Sequence, residues 1–175
     1  MRGLNFRLPP VPSLDNTVSK NAAVEAFWAE FCRQAGIDAA TPYQAWYFGD
    51  SPDLAHRLVE LVIHGPKRAT AGLAWTFEKH PHAAPVQGGY SVATEFDGTP
   101  RCVIRTVSTE TRRFADVDEQ FAWDEGEGDR TLADWIDGHR RYFKRECAWL
   151  GRPFSDGAPV VLERFELLYP RTNKE

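Results

Sequence analysis

The chain has 175 residues, with 21 Lys and Arg against 25 Asp and Glu, a formal net charge of −4. Its 42% hydrophobic and 26% charged residues exclude a disordered or collagen-like chain. No apolar run approaches the ~20 residues that span a bilayer, and the acidic balance argues against neutralising many phosphates of duplex DNA at once.

Residues 1–20 carry Pro9, Pro10 and Pro12 and little periodicity, so they read as a surface arm; an edge strand built on Leu4, Phe6 and Leu8 is the alternative. The start has no continuous apolar region of the secretory kind. Residues 21–35 predict a helix, with Val24, Phe27, Trp28 and Phe31 on one stripe and Gly36 as its stop. Tyr43, Trp46, Tyr47 and Phe48 then crowd an irregular stretch ending at Gly49. A second helix opens on Asp50 or Ser51 as cap, with Pro52 in its first turn, and closes at Gly65-Pro66.

The period then becomes strand-like. Segments 68–77, 90–96 and 101–112 are rich in Thr, Val, Ile and aromatics, with Asp97-Gly98 as a hairpin signal between the last two. An acidic loop, 116–129, leads to a third helix over 131–149, capped by Thr131 and closed by Gly151. The last strand, 160–169, has an inward face of Val161, Glu163, Phe165, Leu167 and Tyr169, apolar at all but one position. Strands not separated by regular helices argue against a doubly wound sheet. The pattern predicts an α+β chain: a small, mostly antiparallel β-barrel with flanking helices. We place an arm at 1–20, one domain at 21–170 and a tail at 171–175. Cys32, Cys102 and Cys147 are widely spaced and odd in number, which supports neither a disulfide framework nor a zinc knuckle and fits a reducing cytoplasm.

Several segments carry candidate chemistry, each with a plainer alternative. The corner His64-Gly65-Pro66-Lys67-Arg68-Ala69-Thr70-Ala71-Gly72 offers two cations, a hydroxyl and two glycines; it is also a helix stop followed by a strand entry. The run Asp124-Glu125-Gly126-Glu127-Gly128-Asp129 can aim carboxylates into a cleft as a general base or a metal ligand, or it is a solvated loop before a helix N-terminus. Its spacing is not that of an EF-hand, and no metal-ligand set is assigned. If the two segments meet, Lys67 and a carboxylate shift each other's pKa. His139 is a packing residue or a site residue. Arg140, Arg141, Lys144 and Arg145 form a solvated face or a phosphate contact. Trp46-Tyr47-Phe48 is core or a stacking surface for bases.

Together these pieces resemble the ASCH (activating signal cointegrator homology) domains of the PUA-like superfamily, closest to the stand-alone bacterial type. The resemblance covers residues 24–170. It is carried by WYFGDSPDLAHRLVELVIHGPKRATAG at 46–72, by Phe114 with AWDEGEGDRTLADWIDGHRRYF at 122–143, and by VVLERFELLY at 160–169. The resemblance implies a PUA-like barrel that binds RNA, or a nucleoside or nucleotide, in a cleft beside the G-x-K-x-x-T turn. One branch of the family removes the acetyl group of N4-acetylcytidine with a Lys, a Thr and a Glu; another group is linked to RNA cleavage. Carried over, the Lys and Thr fall on Lys67 and Thr70, and the Glu on Glu127, with Glu125 second. The acidic loop is longer here than in that branch, and the N-terminal helix is an addition. Expected ligand contacts are Trp46, Tyr47, Gly65, Arg68, Gly72, Asp129, His139 and Arg140. A divalent ion belongs only to the RNA-cleaving alternative. A binding module without catalysis, with single-stranded RNA or a nucleotide as its ligand, and a protein-contacting surface are the competing classes.

Overall fold

The computed structural model describes residues 15–170. The arm and its alternative strand at Leu4–Leu8 therefore lie mostly outside the described residues, as does the tail at 171–175.

Helix α1 (Ala22–Ala35) starts where the Asn21 side chain accepts from the backbone N–H groups of Ala23 and Val24, and it stops at Gly36, whose φ of 68° suits glycine. Its buried Val24, Trp28, Phe31 and Cys32 pack on Ala45, Val92 and Val103 of the sheet. Helix α2 (Pro52–His64) is capped by the Ser51 hydroxyl, which accepts from Leu54 N, and has proline in its first turn. Its Leu58, Val59, Val62 and Ile63 cover Ala93, Cys102, Ile104 and Phe165.

Five strands form one mixed sheet: β1 (Tyr43–Tyr47), β2 (Ala69–Leu73), β3 (Tyr90–Thr94), β4 (Pro100–Arg113) and β5 (Pro159–Tyr169), in the order β1-β3-β4-β5-β2. All neighbours are antiparallel except β1 and β3. The β3–β4 hairpin turns at Asp97-Gly98, where Gly98 N donates to Glu95 O. The sheet curls into a half-barrel rather than a closed barrel, because edge strands β1 and β2 do not pair with each other.

Three expectations are corrected. The aromatic stretch after residue 42 is not irregular: it is β1, paired in parallel with β3 from Tyr43 opposite Tyr90 to Tyr47 opposite Thr94. The strand expected over 68–77 ends at Leu73 and continues as a short helix, α3 (Ala74–Lys79). The acidic stretch 116–129, expected without a regular element, follows directly on a 3₁₀ turn at Phe114–Asp116 and contains helix α4 (Glu119–Glu125), capped by the Asp118 carboxylate on Phe121 N. In α3, which lacks a capping side chain, tertiary packing outweighs the local strand preference of Trp75-Thr76-Phe77.

Helix α5 (Leu132–Leu150) begins at the Thr131 cap and packs with α4 on the outer end of the sheet. Phe114, Phe121 and Phe143 are fully sealed there against Ala69, Leu73, Val160 and Leu162. Truncating one of these rings to alanine costs about 3–5 kcal/mol in a closed core. This packing fixes α4 and α5 against β2 and so holds the segments that carry the polar residues. The three cysteines are buried free thiols, and burial pushes the Cys102 thiol up to about 12. Among the described residues no helix is long and apolar enough to cross a membrane.

Candidate functional site

The site starts at the corner between α2 and β2. Gly65 N and Lys67 N both donate to Leu61 O, at 3.1 and 3.2 Å, closing the last turn of α2. The Arg68 guanidinium donates to Val62 O at 2.9 Å and to Lys67 O at 2.5 Å. Arg68 N donates to Asp124 O in α4, and Phe165 N of β5 donates to Arg68 O. The corner is thus tied to three elements, and Lys67 is turned inward.

Lys67 is fully buried. Its Nζ donates to Ala69 O at 2.9 Å and to Glu127 Oε1, and lies 5.4 Å from the Phe48 ring centroid. Burying an ammonium is costly unless it is paired and hydrogen-bonded, and both conditions hold here. Gly126 explains how a carboxylate 60 residues away reaches it. At φ 70°, Gly126 ends α4 with its backbone pressed on the corner; a Cβ there would fall 2.7 Å from Lys67 N. Only glycine lets the two backbones pass so closely.

Glu125, the last residue of α4, is 1% exposed and places Oε1 3.2 Å from His139 Nε2. His139 Nδ1 lies 3.0 Å from Trp135 O, which can only accept, and the imidazole stacks on the Trp135 ring at 4.1 Å. Both ring nitrogens therefore face acceptors, which suits the imidazolium form. Burial opposes that charge, but the carboxylate of Glu125, helped by Glu127, raises the His139 pKa. Burial likewise pushes against ionised Glu125; His139 and Lys67 outweigh it and lower its pKa. Trp135 Nε1 and Glu125 Oε2 are sealed and meet no partner at hydrogen-bond geometry, yet the indole N–H still favours the ionised carboxylate.

A cavity of about 440 Å³ opens in front of these pairs, with edge strands β1 and β2, which do not pair with each other, both contributing to its lining. Trp46 of β1 and Thr70 and Gly72 of β2 form its sides; Glu125, Glu127 and His139 form one end. Thr70 stands opposite Glu163 in the β2–β5 register, so both project from the same face of the sheet. Glu163 accepts from the Thr106 hydroxyl at 2.5 Å, and burial pushes its carboxyl up to about 7. On α5, Glu146 accepts from the Thr76 hydroxyl and is also raised to about 7, chiefly by burial.

The other expected ligand contacts lie away from this cavity's lining. Tyr47 is buried against Phe96, Gly65 closes α2, and the Arg68 guanidinium is spent on backbone carbonyls. Asp129 caps Thr131, and Arg140 pairs with Asp156 over the Phe114 ring. The four carboxylates of the acidic run diverge: Asp124 to Arg164, Glu125 to His139, Glu127 to Lys67 and Asp129 to Thr131. They do not converge on a point that would seat a divalent ion.

Glu163, Glu146, Thr76 and Trp135 are cavity residues that sequence reasoning did not assign. Glu163 had a signal: it is the single charge on the face of the last strand that the sequence reads as inward, although β5 is covered on both faces, with Val160 and Leu162 as buried as Glu163 and Phe165. Glu146 follows His139 by seven residues, so it falls on the same helix face.

The family model for the ASCH domain matches residues 44–169. The chain belongs to the ASCH family. The matched span of this ASCH domain runs from β1 to the end of β5, leaving α1 outside it. The crystal structure of an ASCH domain from Lactobacillus crispatus JV V101 is similar at 30% identity and a TM-score of 0.71, over 95% of this chain and 99% of that one. A protein of Enterococcus faecalis V583 is similar at 32% identity and a TM-score of 0.74, over 83% of this chain and 87% of that one. No curated protein matches the chain.

Proposed function

We propose that this ASCH domain binds a nucleoside of RNA, free or at a single-stranded site, in the cavity lined by β1 and β2, and hydrolyses an acyl amide on its base. The observation that carries this reading is the fully buried Lys67 ammonium, held by Glu127 at the end of a cavity whose wall includes Thr70. The volume suits one small ligand. Trp46 offers an aromatic face on which a base stacks.

The chemistry follows from those groups. Glu127 is 29% exposed and covers the ammonium, so rotation of its side chain uncovers Lys67 to the cavity. The Thr70 oxygen attacks the acyl carbon while its proton passes to Glu127. The resulting oxyanion faces the ammonium, which stabilises it without moving. Collapse breaks the C–N bond, and the leaving exocyclic amine takes the proton from Glu127. Water, deprotonated by the same carboxylate, then cleaves the threonine ester and restores the hydroxyl. Metal-assisted phosphodiester cleavage finds less support, because the carboxylates of the acidic run diverge.

Incubation with N4-acetylcytidine tests the reading, with cytidine and acetate followed by chromatography. Turnover is expected, and Thr70→Ala and Glu127→Gln should each reduce kcat by about 10²-fold or more. Saturable binding of N4-acetylcytidine by folded protein with no product would replace the hydrolase with a binding module. Neither binding nor turnover would remove both.

A further inference from the structure

A second group of polar residues sits beside the cavity mouth and takes no part in this chemistry. Asp15 comes from the segment before α1. His80 follows α3, and His82 sits in the 3₁₀ turn Pro81–Ala83. One ligand atom from each of these three residues lies within 4.8 Å of the others. Asp15 Oδ2 is 2.9 Å from His82 Nε2 and 3.7 Å from His80 Nδ1.

The two spacings from Asp15 Oδ2 are compatible with a coordination shell. Zinc holds His nitrogen and carboxylate oxygen at about 2.0–2.2 Å in a tetrahedron, which puts neighbouring donors about 3.3 Å apart. The two observed spacings bracket that value. The donors are also held from behind. Asp15 Oδ1 accepts from Thr17 N at 3.2 Å and from the Thr17 hydroxyl at 2.9 Å, which turns Oδ2 toward the histidines. The Gln44 amide of β1 donates to His82 O at 2.8 Å and to Ala84 O at 2.9 Å, fixing the turn that carries His82. Such outer contacts normally orient metal ligands. The His80 side chain is 26% exposed, its Nε2 is buried without a partner among the described residues, and its other nitrogen faces Asp15.

We propose that Asp15, His80 and His82 form a binding site for a divalent transition-metal ion of the zinc class. Two imidazoles and one carboxylate select such an ion over the hard, oxygen-seeking magnesium. The ion links the segment before α1 to the turn after α3. Asn16 and Thr17 follow Asp15 directly; Asn16 Nδ2 donates to Gly49 O, and Thr17 bridges to Trp46. The ion therefore clamps one wall of the cavity. This site is independent of the hydrolase reading.

The test is a calorimetric titration of chelator-stripped protein with Zn²⁺, alongside thermal melts with Zn²⁺ or Mg²⁺. One equivalent should bind, and Zn²⁺ but not Mg²⁺ should raise Tm. His80→Ala and His82→Ala should each weaken binding by about 100-fold or more, the upper end of what loss of an outer contact costs. Circular dichroism checks that the variants are folded. In the unsubstituted protein, the ring resonances of His80 and His82 should shift on the first equivalent, so the outcome does not depend on the variants. Absence of saturable Zn²⁺ binding, equal affinity in wild type and the doubly substituted protein, or shifts confined to other histidines would overturn the site.

Discussion

Glu163→Gln should stabilise the protein at neutral and alkaline pH and leave it unchanged in acid. Burial holds the Glu163 carboxyl near 7, against an ordinary value of 4.5, despite the Thr106 hydroxyl and the Lys67 charge that oppose the shift. The unfolded chain therefore loses this proton at lower pH than the native chain does. The favourable contribution of the protonated form is complete below about 4.5 and is lost as pH rises through about 7. At roughly 1.4 kcal/mol for each pH unit between those values, the ionised side chain costs the fold about 3 kcal/mol by pH 8. Glutamine copies the neutral acid and can still accept from Thr106 through its carbonyl. Urea unfolding of both proteins from pH 4.5 to 8.5 measures the difference directly, since every other titrating group cancels to first order. The two stabilities should converge near pH 4.5 and diverge to about 3 kcal/mol at pH 8, which is about 6–12 °C in Tm for a chain of this size. Parallel stability curves, or a variant that loses stability at pH 8, would refute the assignment of a neutral buried acid.

Gly126→Ala should lower stability by at least about 2 kcal/mol in thermal melts, because it adds left-handed backbone strain to a contact with the Lys67 backbone that cannot give way. The same substitution should remove turnover, since it displaces Glu127 from Lys67. His139→Ala leaves the Glu125 carboxylate buried beside a void and should cost about 3–5 kcal/mol; adding Glu125→Gln should recover part of that loss, and a double-mutant cycle in urea measures the coupling. Thr131→Ala removes the cap on α5 and the exposed hydroxyl bond to Asp129, and should cost about 1 kcal/mol, with turnover of N4-acetylcytidine intact.

Elements with local punctuation were legible in the chain. Helix α1 announces itself through its apolar stripe and its stop at Gly36, helices α2 and α5 through Ser51-Pro52 and Thr131 at their starts, and the β3–β4 hairpin through Asp97-Gly98. Strand β1 did not, because apolar and aromatic residues on both of its faces hide the alternation. Helix α3 lacks a capping side chain, and its Trp75-Thr76-Phe77 favours strand in isolation. In α4 the Asp118 cap was present, but the density of charge around it masked the buried Phe121 and Ala122. The site divides in the same way. Lys67 and Thr70 stand in a recognisable corner. The approach of Glu127 depends on Gly126 passing against that corner, and the pairing of Glu125 with His139 depends on α4 and α5 sharing one core. Tyr47 and Arg68 looked like ligand contacts because aromatic and cationic side chains are ambiguous until burial is known.

A crystal of the Thr70→Ala protein soaked with N4-acetylcytidine bears most directly on the central claim. The base should lie against Trp46 in the cavity lined by β1 and β2, with the acetyl oxygen within hydrogen-bonding reach of Lys67 Nζ and Glu127 turned aside. A nucleoside seated elsewhere on the protein, or bound with Lys67 still sealed behind Glu127 and out of reach of the acyl group, would contradict it.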